Sequence, residues 1–197
     1  MLGSNTTTTP DQEPLGSETP PQTATTTYSG ATFTLTYPTD FVVDPAFSNE
    51  EVNPAKPISG VKFSVPPSMA TGTNLASDTF LSVEWLPRAK KCSGDIYLHD
   101  NVSSQEVTDG GVVYSMASTS GAAAGNRYEE IVYAIPNSSP CTAVRYSIHF
   151  SEMANFEPGT VQEFDRAKLV STFDEMRRSL MLTTVPAATT AEEPVQP

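Results

Sequence analysis

The sequence predicts an α+β domain in which a largely antiparallel β-sheet of about six or seven strands is packed by a C-terminal amphipathic helix. Three observations predict this class. Short runs that alternate polar and apolar side chains lie between Pro- and Gly-rich breaks, as half-buried strands do. Two pairs of these runs are connected as hairpins. A single stretch with apolar residues at helical spacing follows the strands.

The first half of the chain contains three predicted strands. Residues 32–37, 60–65 and 79–86 each carry apolar side chains at every second position, and a proline follows each run. This pattern is typical of strands with one buried face. Residues 41–43 predict a further short extended piece. Residues 44–59 hold three prolines and several acids, and they predict a loop.

The second half begins with a predicted hairpin of residues 104–108 and 112–118. Asp109-Gly110 stands between them, and this dipeptide favours the tight turn in which both central residues have positive φ. Residues 121–125 are small and include two glycines, which predicts a flexible loop.

The longest hairpin is predicted for residues 126–135 and 142–150. Its apolar side chains can share one face only in one type of register. The other face then carries Glu130 and Arg145, which lie diagonal to each other within reach of an ion pair. The register places Tyr133 opposite Val144 and Ile131 opposite Tyr146.

The last element is a predicted helix. Asp165 fits its N-cap, and Phe164 and Leu169 match a hydrophobic staple. Arg177 and Arg178 lie in the last turns, where cations suit the helix dipole. An apolar stripe predicts that the helix packs across the sheet; its members are Leu169, Phe173, Met176 and Leu180.

Composition divides the chain into three parts. Residues 1–27 hold nine Thr and four Pro without an aromatic residue, and such a segment cannot bury enough apolar surface to become ordered. We therefore expect a disordered Thr/Pro-rich tether at 1–27, a globular domain at 28–182 and a disordered tail at 183–197. Tethers of this type separate an exported or lipid-anchored N-terminus from a folded domain.

The formal net charge of the chain is −12. Five acids lie in the two terminal segments, so residues 28–182 carry −7. An acidic domain without a basic patch repels phosphate backbones, which argues against a nucleic-acid partner. No apolar run reaches the roughly 18 residues of a membrane span. No signal peptide is visible at the start, and a lipid anchor upstream of the tether stays open.

The two cysteines, Cys92 and Cys141, both lie in polar, loop-like contexts. An even number of cysteines in such contexts favours a disulfide and an extracytoplasmic location, in the periplasm, at the cell surface or in the medium. The alternative is two unrelated free thiols. The bridge would close a loop of about 50 residues and stabilise the fold by roughly 4 kcal/mol.

The opening Phe33-x-Leu35-x-Tyr37-Pro38-x-x-Phe41 resembles the first hairpin of the PsbP-like superfamily. The late hairpin and the terminal helix fit the same family. The resemblance covers residues 28–182 and implies an antiparallel sheet sandwiched by helices, an α/β/α arrangement. Members include photosystem accessory subunits, a partner of the small GTPase Ran and many exported bacterial proteins. The resemblance therefore implies a scaffold for protein contacts, and it supplies no catalytic residue.

No motif has the spacing of a catalytic or metal site. Ser59-Gly60-Val61-Lys62 matches S-x-x-K, but it enters a strand instead of opening a helix. His99 and His149 are far apart in sequence and belong to no ligand motif. We therefore expect no cofactor, no metal and no enzymatic activity.

The best candidate for a binding surface is the polar face of the long hairpin, beside the loop at 121–125. It combines charge, an aromatic ring and a flexible loop, a combination that often carries function. The alternative is an ordinary half-exposed hairpin with cross-strand ion pairs. The candidate residues are Arg127, Tyr128, Glu130, Arg145 and His149.

Together these features predict a monomeric, exported accessory or binding module, tethered at the cell envelope and contacting a protein or glycan partner. Two alternatives remain at this stage. One is an enzyme, hydrolase-like, whose active site is assembled from scattered residues without a motif. The other is a structural or stress protein without a dedicated ligand.

Overall fold

The computed structural model describes residues 23–183, and in this range the chain forms ten strands, two α-helices and two 3₁₀ turns. The helices are α1 (Pro67–Ala70) and α2 (Arg166–Arg178), and the 3₁₀ turns are Gly94–Tyr97 and Met153–Asn155. The strands are β1 (Thr25–Ser29), β2 (Phe33–Pro38), β3 (Val42–Asn49), β4 (Ile58–Ser64), β5 (Phe80–Leu86), β6 (Gln105–Asp109), β7 (Val112–Ala123), β8 (Asn126–Ile135), β9 (Cys141–Ser151) and β10 (Met181–Leu182).

The tether predicted for residues 1–27 and the tail predicted for 183–197 lie outside the described residues, apart from 23–27 and Thr183. Within that overlap, Thr25–Thr27 belong to β1 and pair with β2. The ordered strand therefore begins three residues before the predicted start of the domain at Tyr28.

Most strands belong to one antiparallel sheet of seven, in the order β3-β4-β5-β9-β8-β7-β6. Two meanders, β3 to β5 and β6 to β9, meet where β5 pairs with β9. A second sheet has the order β1-β2-β10. The predicted largely antiparallel sheet is confirmed, and the helix α2 follows its last long strand.

The main core lies between the seven-stranded sheet and the layer formed by α2 and the small sheet. The predicted register of the long hairpin is confirmed, since Tyr133 lies opposite Val144 and Ile131 opposite Tyr146. We call this side of the sheet the helix face. Its fully buried side chains pack against β2 and against Leu169 and Phe173 of α2; they include Phe63, Leu81, Val83, Val144 and Tyr146.

The opposite side, which we call the far face, is covered at one end only. The covering segment, residues 87–104, carries the 3₁₀ turn and packs its Tyr97 and Leu98 on β7, β8 and β9. Gly94 allows the close approach, because a Cβ at this position would lie 2.7 Å from Ala117 N and 2.8 Å from Ser115 O. The predicted disulfide forms between Cys92 and Cys141, with 5.3 Å between the Cα atoms, and it ties the segment to β9.

Two predicted loops are strands. Residues 44–59 were expected to be a loop, but β3 continues to Asn49 and pairs with β4. Its register shifts between Asp44 and Phe47, because Pro45 has no N–H to donate and an edge strand accommodates it in a bulge. Residues 121–125 were also expected to be a loop, but β7 extends to Ala123.

The predicted cap and staple of α2 are both present. Asp165 Oδ1 accepts a hydrogen bond from Lys168 N at 2.9 Å, and Phe164 and Leu169 are buried in the core.

The end of α2 departs from the sequence-based expectation. Arg177 is only 2 % exposed, and its guanidinium lies 4.8 Å and 4.2 Å from the ring centroids of Tyr114 and Tyr133. It also donates hydrogen bonds to Tyr146 Oη and to the carboxylates of Asp109 and Asp174. Paired carboxylates and flanking rings stabilise this buried charge.

Replacing Cys92 and Cys141 together by Ser should lower the free energy of unfolding by about 4 kcal/mol, because the bridge constrains a loop spanning 49 residues of sequence. Urea unfolding measures the change. The wild type should lose the same stability in dithiothreitol, whereas the double variant should be insensitive to it. An unchanged wild-type midpoint under reduction would contradict the prediction.

Asp109→Asn should remove an acid-sensitive part of the stability. Hydrogen bonds from Arg177, and then from Arg178, hold the pKa of Asp109 below its ordinary value of 3.8. The Asp109 carboxylate is therefore protonated less readily in the folded state than in the unfolded chain. Its contribution to the free energy of unfolding is complete at pH values above the unfolded-state pKa, and it is lost as the pH falls through the lower folded-state pKa. In urea unfolding at a series of pH values, wild type should exceed the variant near pH 7 and approach it in acid. Parallel curves over the whole range would refute the assignment.

Candidate functional site

The centre of the far face holds a buried ion pair between β5 and β9. Arg145 is 1 % and Glu84 0 % exposed. Arg145 Nε donates to Glu84 Oε1 at 2.8 Å and Arg145 Nη2 donates to Glu84 Oε2 at 3.1 Å. Ser82 and Asn49 also donate to the Glu84 carboxylate. Arg145 was expected on the polar face of the long hairpin, but the covering segment buries it, and its Nη2 also donates a hydrogen bond to the carbonyl of Tyr97.

Glu130 completes this cluster from β8. Its Oε1 lies 2.6 Å from Arg145 Nη1, which confirms the predicted cross-strand ion pair. Burial raises the pKa of Glu130, and the charge of Arg145 opposes that rise. Burial by itself would lower the pKa of Arg145, but Glu84 and Glu130 raise it above its ordinary value. Arg145 is therefore a structural cation neutralised by two carboxylates.

Tyr128 and His149 form a stacked pair next to this cluster. They are direct neighbours on β8 and β9, and their rings are 4.4 Å apart and 20° from parallel. Asp78 Oδ1 lies 2.8 Å from His149 Nδ1. The hydroxyl of Thr79 accepts a hydrogen bond from the main-chain N–H of His149 and donates one to its carbonyl. Both the main chain and the ring of His149 are therefore fixed by hydrogen bonds.

A second aromatic pair lies on the same side of the sheet. Phe47 and Phe80 pack edge to face with centroids 5.5 Å apart, and Lys62 Nζ stands 5.1 Å and 5.7 Å from their centroids. All three side chains are half-buried.

These two aromatic pairs define what we call the open half-face, the part of the far face that the covering segment leaves bare. Tyr128 is 40 % exposed there, and the His149 side chain is 20 % exposed. The open half-face consists of Phe47, Lys62, Phe80, Tyr128 and His149.

The predicted surface is thus only partly assembled. Tyr128, Glu130 and His149 lie together on the far face, and Arg145 lies on the same face under the covering segment. Arg127 alternates onto the helix face, where it pairs with Glu152. Phe47, Lys62 and Phe80 were not foreseen. Alternation within residues 79–86 would have placed Phe80 on the side opposite Leu81, but Phe47 lay in a segment interpreted as a loop.

A separate groove of about 1040 Å³ runs between α2, α1, the start of β1 and the end of β2. Its floor is apolar and includes Phe41 and Met176, and its rim carries four carboxylates and Lys168. No His, Cys or Arg is among the described residues that line it. In the same described range, no group of three or more His, Cys, Asp or Glu side chains is arranged to hold a metal ion.

Glu84→Gln should strongly destabilise the fold, because it leaves the buried Arg145 guanidinium without its main counter-ion. We expect the free energy of unfolding in urea to fall by roughly 3 kcal/mol, which is typical when one partner of a buried ion pair is removed. Glu129→Gln is the matched control, since its ion pair with Arg166 lies at the surface and should contribute less than about 1 kcal/mol. Equal losses in the two variants would contradict the structural role of Arg145.

No protein-family model and no curated protein matches the chain. The structural search returned a crystal structure from Bacteroides thetaiotaomicron VPI-5482 with a TM-score of 0.42 and 14% sequence identity. The match covers 77% of this chain and 45% of the other chain, so the present chain spans less than half of the length of that protein. Within residues 23–183, no helix has both the length and the apolar character needed to cross a membrane.

Proposed function

We propose that this chain is an extracytoplasmic accessory module that acts as a monomer and binds a protein or glycan partner at the cell envelope through the open half-face. The observation that carries the proposal is the presence of two partly exposed aromatic pairs on one face of the seven-stranded sheet. Aromatic side chains are enriched at binding surfaces because they offer large apolar area at low entropic cost.

The electrostatics of the surface support binding over chemistry. In the Arg145 cluster next to the rings, the single cation is compensated by two carboxylates, those of Glu84 and Glu130. The strongest shifts in pKa fall on groups in such buried pairs, including Arg145 and Arg177, which lie outside the groove beside α2. An enzyme would be expected to combine perturbed groups with a cleft.

Two further observations are compatible with export. The disulfide between Cys92 and Cys141 is of the type that persists in oxidising compartments. The Thr/Pro-rich segment that precedes β1 would serve as the tether between an anchored N-terminus and the folded module.

The proposal retains the resemblance to PsbP-like proteins. The antiparallel sheet and the closing helix agree with it in outline. The expected second helical layer is not among residues 23–183, since the covering segment on the far face contains only a 3₁₀ turn. An accessory role in protein contacts is what the resemblance implies.

The test is a paired capture experiment with the full chain as bait, using envelope extract and a glycan array. Phe80→Ser combined with Tyr128→Ser should reduce capture of the partner at least about tenfold, because exposed aromatic anchors typically contribute roughly 2 kcal/mol each. Met181→Ser, which removes an apolar side chain that is 68 % exposed on the small sheet, should leave capture unchanged.

The two arms separate the partner classes, since signal on the array identifies a glycan and a single enriched polypeptide identifies a protein. Undiminished capture by the double variant would exclude the open half-face as the site. Blank results in both arms would overturn the proposed function.

A further inference from the structure

The edges of the seven-stranded sheet differ in how well they are protected. On one side, β3 carries Pro45 and an irregular register between Asp44 and Phe47; both features prevent another strand from pairing. On the other side, β6 is short and carries Glu106 and Asp109. Charge and shortness are likewise protective at an edge. One stretch of β7 has no proline, no irregular register and no charged side chain.

This stretch is the part of β7 that extends beyond β6. The last pair with β6 is Met116 with Gln105, whereas β7 continues to Ala123 alongside β8. Its residues from 118 to 123 read Ser-Thr-Ser-Gly-Ala-Ala, and they are all small and uncharged. Within residues 23–183 no strand or loop main chain pairs with its outer side.

The geometry of the β7–β8 turn identifies which main-chain groups are free. Ala124 and Gly125 form a two-residue turn with φ of 49° and 81°, so Ala123 and Asn126 form the closing hydrogen-bonded pair. Hydrogen-bonded pairs then alternate along the ladder. The N–H and C=O groups of Ser118, Ser120 and Ala122 therefore point away from β8. We call these three residues the free edge.

The free edge is held in place before any partner binds. Gly125 O accepts hydrogen bonds from Glu152 N at 2.9 Å and from Asn155 Nδ2 at 2.7 Å. These bonds tie the tip of the hairpin to the second 3₁₀ turn. A pre-ordered edge pays less conformational entropy when it pairs with another strand.

A slot beside the free edge offers side-chain recognition. Gly121 lies directly opposite Tyr128 in the register, and one face of the Tyr128 ring stacks on His149. Gly121 is the neighbour of Tyr128 on the side away from His149, and it has no side chain that could cover the second ring face. A Cβ built on Gly121 would meet no atom within 4 Å, so the space over this ring face is open.

The surroundings of this slot are acidic. Thr119, the next residue of β7 on the same face, donates to Asp100 Oδ2 and is paired with Glu130 in the register. The nearby Arg145 is buried and neutralised. A cationic side chain placed on the open face of Tyr128 would gain both the attraction of the ring and that of the carboxylates.

We propose that the free edge accepts an extended segment of a partner protein as an added antiparallel or parallel strand, with a Lys or Arg of that segment lying on Tyr128 opposite Gly121. This inference rests on the proposed function and names the protein class of its partner. Main-chain hydrogen bonds supply the affinity, and the slot supplies the selectivity, as in other cases of β-strand addition.

A second copy of the chain is the less suitable occupant. Three residues of free edge bury far less than the roughly 1,200 Å² of a stable interface. Two copies would also bring together chains that each carry a net charge of −12, and like net charges oppose association. A basic, extended segment is instead attracted by this net negative charge.

The test starts with selection of random nine-residue peptides displayed on phage against the full chain, followed by titration calorimetry with the most enriched synthetic peptide. Selected peptides should carry a central Lys or Arg. Gly121→Val should weaken binding about tenfold or more, because it fills the slot without changing the edge. Ser120→Val is the matched control, since its side chain projects from the opposite face and should leave the slot open. Ser120→Pro should also abolish binding, because it removes an outward N–H.

Amide hydrogen exchange provides a readout that a change in stability alone would not produce. Binding should protect the amides of Ser118, Ser120 and Ala122 selectively. The inference is overturned if no peptide is enriched, if Gly121→Val and Ser120→Val bind equally, or if the free edge gains no protection. It is also overturned if the chain is a dimer that Ser120→Pro converts to monomer. Capture that is lost in the Phe80 and Tyr128 double variant but retained in Gly121→Val would leave the proposed function standing without this edge site.

Discussion

The ion pair between Arg145 and Glu84 is the interaction on which the far face of the sheet depends. Two charges removed from water persist only where geometry and additional hydrogen bonds compensate for the lost hydration. Glu84 receives donors from Ser82 and Asn49 as well as from Arg145. Arg145 also donates a hydrogen bond to the carbonyl of Tyr97. The position of the 3₁₀ turn in the covering segment is thus coupled to a charge on the central strand.

That coupling explains several features that look unrelated in the sequence. Gly94 permits the 3₁₀ turn to approach the main chain of β7 and β8. The disulfide between Cys92 and Cys141 anchors the same segment to the start of β9. Because the cover extends over only one end of the sheet, the aromatic pairs at the other end stay at the surface. The buried charge and the candidate binding surface are therefore consequences of one arrangement.

Arg177, on the helix face, is a second buried arginine whose charge is compensated by carboxylates. A cation at the end of α2 is buried between two tyrosine rings and compensated by Asp109 and Asp174. Asp109 also closes the hairpin of β6 and β7, so this cluster connects the helix to the outer strands of the sheet. The sequence-based interpretation of Arg177 as a cation favoured by the helix dipole described its position in the helix but not its burial.

The fold was largely predictable from local patterns, and the candidate site only in part. The alternation of polar and apolar residues predicted most strands and the register between β8 and β9. It also placed Tyr128, Glu130 and His149 correctly on one face of the sheet. The burial of Arg145 was not foreseen, because it depends on a covering segment some 50 residues earlier in the chain. The part of β3 from Asp44 to Asn49 was not predicted as a strand, because Pro45 and the acidic residues around it are typical of loops.

The sequence by itself determined the helix with its Asp165 cap, the alternating strands and the hairpin turns, because each depends on residues within a few positions of one another. It also determined which side chains share a face of a strand, since that follows from a period of two. Only the tertiary structure decided which face is covered, which arginines are buried and where an edge is left unpaired. Those outcomes depend on contacts between segments that are distant in sequence, and no local pattern encodes them.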